Sequence, residues 1–124
     1  IVVHSSDKLR GILGKDENDQ SVTPQVFSTI KYNLNRDLAA GKSVIIDATS
    51  LNPKERKDYI LTAKKHSAKI IAYVLERDKN TLMNNQKKRA AAGGREVPEF
   101  VIDKMLAKYV RPSKAEGFDD IILV

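Results

Sequence analysis

The sequence has no cysteine. It therefore has neither a disulfide framework nor a thiolate to act as nucleophile or metal ligand. No apolar run approaches the roughly 18 residues of a membrane-spanning helix. No segment at the start has the zones of a secretory signal. Internal repeats, low-complexity blocks and long linkers are also missing. The expectation is a reducing, cytoplasmic setting with no membrane partner. What the chain does have is charge, 22 Lys+Arg against 16 Asp+Glu, a formal +6 over 124 residues. That surplus suits an anionic partner, a nucleic acid or a nucleotide, and equally a solvated lysine-rich surface. With 41% hydrophobic residues the chain reads as one globular domain, residues 1–124.

Short apolar runs alternate with helical periods. Ile1-Val2-Val3 reads as the end of a strand. Ser6 is placed to cap a short helix that Gly14 ends. "KDENDQ" is a polar loop. Thr23-Pro24 opens a helix with Phe27, Ile30, Leu34 and Leu38 at spacings of 3, 4 and 4. "SVIID" is a strand ending in a carboxylate, and Asn52-Pro53 caps and opens the next helix, with Tyr59, Ile60 and Ala63 inward. "KIIAYVL" is a third strand. A helix from about Lys79 follows, then one from Pro98 with Phe100, Val101, Met105 and Tyr109 as core contacts. "IILV" is the last strand. Strands separated by helices imply an α/β fold, a mostly parallel sheet with helices on both faces. Sites in such sheets lie beyond the carboxyl ends of the strands.

Three places meet that description, after "IVV", after "VII" and after "IIAYVL". After "IVV" come His4, Ser5, Ser6 and Asp7. His4 reads as a structural residue at the strand end. Asp7 either complements the positive end of a helix or serves as a general base for a hydroxyl proton. Arg10, three residues on, shares its helix face; it either pairs with Asp7 or grips a phosphate through two donors. After "VII" comes Asp47, either an acceptor for loop amides or a Mg²⁺ contact of the kind found in phosphoryl-transferring folds. Thr49 and Ser50 add hydroxyls, and Asn52 is a helix cap. Farther along, "NNQKKRAAAGGREVP" carries Lys87, Lys88, Arg89 and Arg95 about Gly93-Gly94. It is either a helix end with favourable cations and a glycine stop, or a mobile lid over residues 87–97 that brings arginines to a transferred phosphate.

Taken in order, "SSDKLR", "GKSVIIDATSLNPKERKDYI", "QKKR…GGREVPEFVIDKM" and "GFDDIILV" resemble the P-loop kinase domain of phage polynucleotide 5′-hydroxyl kinases and related small kinases. The resemblance runs over nearly the whole chain. It implies that Asp7 deprotonates the 5′-hydroxyl and Arg10 binds the substrate's phosphate. Arg89, with Arg95 second, contacts ATP phosphates alongside Lys88. Asp47, Thr49 and Ser50 are the acid-and-hydroxyl segment, with Asp47 toward Mg²⁺. ATP, Mg²⁺ and a polynucleotide with a 5′-hydroxyl are the implied cofactors and partner. The alternatives are a small-molecule or sugar-nucleotide kinase, a non-catalytic nucleic-acid-binding module, and a structural domain whose polar residues only cap helices.

The family's phosphate loop, G-x-x-x-x-G-K-[ST], is not in the sequence. Gly41-Lys42-Ser43 has no glycine five residues earlier and runs from a helix into a strand, the reverse of the required order. The chain also opens in mid-strand without Met. The resemblance therefore implies that a first strand and its loop, roughly thirty to forty residues, lie outside it. Two consequences are expected. The chain alone lacks kinase activity, and the two strands flanking the central position have unpaired backbone and uncovered apolar faces.

Overall fold

Four apolar runs form the strands of the computed structural model, which describes residues 1–14, 20–94 and 97–124. They are β1 (Val2–Ser5), β2 (Val44–Asp47), β3 (Ile71–Val74) and β4 (Asp120–Leu123). Between them lie α1 (Ser6–Leu13), α2 (Thr23–Ala39), α3 (Pro53–Lys65), α4 (Lys79–Ala91) and α5 (Glu99–Lys108), with 3₁₀ turns at Gln20–Val22 and Lys114–Glu116. β1 pairs with β2 and β3 with β4, both in parallel. Parallel neighbours need a crossover. The segment with α1 and α2 supplies the first, and the segment with α4 and α5 the second. Among the described residues each strand pairs on one side only, so the strands form two ribbons.

Helix boundaries follow local chemistry. Ser5, one residue earlier than expected, caps α1 by accepting from the Lys8 amide at 3.3 Å. Ser6 is already helical because the last strand residue, still extended, is the one whose hydroxyl can turn back. Asn52 caps α3 through the Glu55 amide at 3.0 Å, with Pro53 in the first turn. α2 begins at Thr23 itself; Val22 occupies the cap position and makes no side-chain bond.

α2 carries the core of the first ribbon. Val26 and Ile30 are fully buried and Leu34 nearly so, and the helix packs on α1, α3, β1 and β2. Each such side chain contributes about 1.5–3 kcal/mol of burial. The predicted stripe is one position out at its ends: Phe27 is partly exposed, and Asp37 rather than Leu38 completes the buried face. A carboxylate on an apolar stripe needs partners. Asp37 finds His4 Nε2 at 2.7 Å, from the buried end of β1, and Arg36 Nε at 3.1 Å. These two hold its carboxyl below the usual range, Arg36 more than His4. In α3, Ile60 is buried and Tyr59 and Ala63 are half-buried. The second ribbon has a smaller core of Val74, Val97 and Ile102. Phe100, expected inside, is 62% exposed with the Lys104 ammonium 5.7 Å over its ring; Ile102 takes the inward position.

Candidate functional site

Register decides what meets at the strand ends. Ser5 is the Cα partner of Asp47. The chain leaves both strands there: Asp7 follows in the first turn of α1, and Thr49 in the loop after β2. Asp7 lies in the first turn of α1, where the helix dipole favours a negative charge. Arg10 is one turn later and turns inward. Its NH1 donates to Asp7 Oδ1 at 2.9 Å; the Arg10 side chain is 4% exposed and that of Asp7 26%. The pairing considered from the sequence is thus formed. Asp7 keeps access to solvent while the guanidinium fixes its direction. Arg10 Nε is buried without a hydrogen-bond partner among the described residues.

On the β2 side, Asp47 and Thr49 are exposed and Ser50 is half-buried. Ser50 has φ 43°, in the left-handed region that costs a non-glycine residue energy. Its conformation is held by Arg56, which sequence reading passed over. Arg56 NH1 donates to the Ser50 carbonyl at 2.9 Å, while Nε and NH2 grip Glu116 at 2.9 and 3.0 Å. Arg56 is buried, and the guanidinium beside Glu116 holds that carboxyl below its ordinary range. The Val110 amide adds a bond to the Leu51 carbonyl at 2.8 Å. The loop after β2 is therefore fastened to the segment before β4. One signal was available: Arg56 lies four residues before Ile60, on the same inward face. It was hidden among five consecutive charged residues, Lys54 to Asp58.

Beyond β3, Glu76 accepts from Tyr109 Oη at 2.6 Å and from Arg111 Nε at 2.9 Å. Arg111, and then Tyr109, bring the Glu76 carboxyl down to about 2. Burial, then Glu76, pushes the Tyr109 hydroxyl up to about 12. Tyr109, expected in the core, thus ties the end of α5 to the end of β3. Lys87, Lys88 and Arg89 are exposed on the last turns of α4. Gly93, at φ 87°, donates to the Ala90 carbonyl at 3.1 Å, and Gly94 to that of Arg89 at 2.8 Å. Those two bonds form a glycine-dependent helix stop. A Cβ at Gly94 would lie 2.6 Å from Arg89 Cγ, so the glycine lets Arg89 lie back along the helix end. Arg95 falls outside the described residues.

A family profile described as an AAA domain matches residues 1–112. The chain belongs to the AAA domain family. No curated protein matches it. As a family member it has a P-loop kinase-like α/β fold and, at that coarse level, a nucleotide-binding, phosphotransferase character. Domains of this type generally bind ATP with Mg²⁺.

The fit of this AAA domain's residues to that pair is uneven. The glycine-rich cradle for the β- and γ-phosphates is not in its sequence, and Gly41 (φ 77°) lies in the turn after α2, leading into β2. Asp47 offers one exposed carboxylate at a strand end, and among the described residues no three His, Asp or Glu side chains gather as a metal site. One carboxylate suits Mg²⁺ only together with phosphate oxygens and water. No helix among the described residues is long and apolar enough to cross a membrane.

Proposed function

We propose that this AAA domain forms the acceptor side of an ATP-dependent kinase acting on a hydroxyl, the 5′-hydroxyl of a polynucleotide by preference. The observation that supports the reading is the Arg10–Asp7 pair in the first turn after β1, whose last residue, Ser5, is in register with Asp47 at the end of β2. Asp7 accepts the hydroxyl proton as the oxygen turns nucleophilic. Arg10 orients the Asp7 carboxylate, and its remaining donors include the unpartnered Nε, which suits an anion drawn in beside the base. Thr49 and Ser50 supply hydroxyls along the acceptor's path. ATP, when bound, would supply the phosphoryl group, and Asp47 is the carboxylate that would hold its Mg²⁺. The cations at the end of α4, Lys88 and Arg89, and Arg95 after them, are proposed to spread over the transferring group. The net charge of +6 supports an anionic acceptor.

The test is phosphorylation of a 5′-hydroxyl oligonucleotide by the full-length gene product, run beside a panel of nucleosides and sugars. Asp7→Asn is expected to lower turnover by about 10²–10⁴-fold, with little change in oligonucleotide affinity. Unchanged turnover removes Asp7 from the mechanism, and preference for a small sugar or nucleoside replaces the polynucleotide with that acceptor.

A further inference from the structure

A cleft of about 350 Å³ lies between the amino-terminal halves of α2 and α3, lined by Phe27, Ser28 and Lys31 on one side and Lys54, Asp58 and Tyr59 on the other. Thr49 and Ser50 are also in its wall. Its place in the fold follows from the crossover. α2 delivers the chain to the amino end of β2, so its own amino-terminal half lies toward the carboxyl ends of the strands. α3 starts there, directly after β2. The cleft is thus on the same rim as Asp7.

Its chemistry is mixed in a specific way. Phe27 is partly exposed and Tyr59 half-buried, so aromatic surface is available on both helices. Burial, with Asp58 and Glu55 nearby, pushes the Tyr59 hydroxyl up, which keeps it a donor. The Lys31 ammonium is 3.4 Å from Asp58, and Glu55 is engaged by the Leu51 amide at 2.6 Å. Lys54 has no carboxylate within ion-pairing distance among the described residues. The wall at Ser50 is fixed by the Arg56–Glu116 pair.

We propose that this cleft binds one nucleotide unit of a single-stranded acceptor, its base against Phe27 and Tyr59 and its phosphate at Lys54. The inference rests on the kinase reading for its biological use, though not for its test. Aromatic faces take any base without reading sequence. One unpaired ammonium matches one phosphate. Asp58 and Glu55 repel further phosphates, so the cleft favours a single unit over a long tract. A volume near the lower end of ligand pockets, roughly 300–1,000 Å³, agrees with that.

The experiment is calorimetric titration of the full chain with thymidine 3′-phosphate, thymidine and a four-residue oligothymidylate. Phe27→Ala and Lys54→Ala are each expected to weaken thymidine 3′-phosphate by about tenfold or more. Thymidine should bind more weakly and be indifferent to Lys54→Ala. The tetranucleotide should gain only a few-fold. Both side chains are at the surface, so the fold should survive, as circular dichroism would check; if Phe27→Ala unfolds, Phe27→Leu keeps apolar volume and removes the ring. No binding by the unaltered chain, wild-type affinity in both variants, or affinity that climbs steeply with each added phosphate overturns the proposal. None of these titrations needs turnover. Weakened binding in the cleft variants with no ATP-dependent phosphorylation of any acceptor sinks the kinase reading and spares the cleft; phosphorylation with unchanged binding in both cleft variants does the opposite.

Discussion

Glu116 accepts three hydrogen bonds, two from Arg56 and one from the Ser113 amide at 2.9 Å. Its partner is buried, so Glu116→Gln leaves a guanidinium charge without an anion. Loss of one member of a buried pair costs about 3–5 kcal/mol, and chemical denaturation at neutral pH should show a loss of that size. The pH dependence has a definite sign. The folded carboxyl is depressed, so its stabilising contribution is complete above the ordinary value of 4.5 and fades as pH falls through the lower folded value. The gap between the two proteins should therefore narrow on acidification below about pH 4.5. A constant gap down to pH 2 would show that Glu116 acts through shape alone. Arg10 permits a parallel test in the full-length gene product. Arg10→Lys keeps charge but loses the planar fork. If Arg10 mainly orients Asp7, kcat falls more than KM rises for the hydroxyl substrate; a pure rise in KM for that substrate marks direct phosphate binding instead.

At the scale of elements, the helix ends are where small residues matter. Gly117 ends the 3₁₀ turn at φ 121°, and a Cβ there would lie 2.7 Å from Lys64 Cε and 2.9 Å from Ile60 Cγ2. The turn packs on α3 at this point. Gly117→Ala is thus both strained and overpacked, and should destabilise by about 1–3 kcal/mol. Gly94→Ala should loosen the end of α4 because the new Cβ meets Arg89. Amide hydrogen exchange at Gly93 and Gly94 should accelerate while exchange in α2 stays unchanged. Equal protection in the variant would show that the stop does not depend on Gly94. Helix starts were readable in the sequence to within a residue, since proline and small polar caps act locally. Asp37 was not, because a carboxylate on an apolar stripe makes sense only once β1 brings His4 against it.

For the whole molecule the consequential feature is that, among the described residues, the strands pair only within two separate ribbons. Each presents an unpaired edge, and Val3, Ile45 and Tyr73 are at least half exposed. Val3 and Ile45 are register partners, so they make a continuous apolar strip on the first ribbon. Flat apolar edges of this kind template pairing with other chains. The 124-residue chain should therefore self-associate with rising concentration in light scattering. Ile45→Lys with Tyr73→Lys should suppress that association, since charge on a strand surface opposes stacking. Concentration-independent scattering of the unaltered chain would refute this. The two ribbons communicate through the Arg56–Glu116 pair and the Val110 amide bonded to Leu51, so weakening that fastening is the route by which a change near the end of the chain reaches the loop after β2.

The sequence by itself determined the α/β alternation, the four strands, most helix limits, and the positions of Asp7 and Asp47 at strand ends. Those features depend on periodicity and caps, which are local. Only the tertiary structure decided which side chains share a space: Asp7 with Arg10 as a formed pair, Asp37 with His4, Arg56 with Glu116 across sixty positions, and Phe27 with Tyr59 and Lys54 around one cleft. It also turned Phe100 outward and Ile102 inward. The physical reason is the same in each case. A charge or ring placed by local rules becomes stable or available only through what a distant segment sets beside it, and that depends on strand register and helix packing rather than on neighbours along the chain.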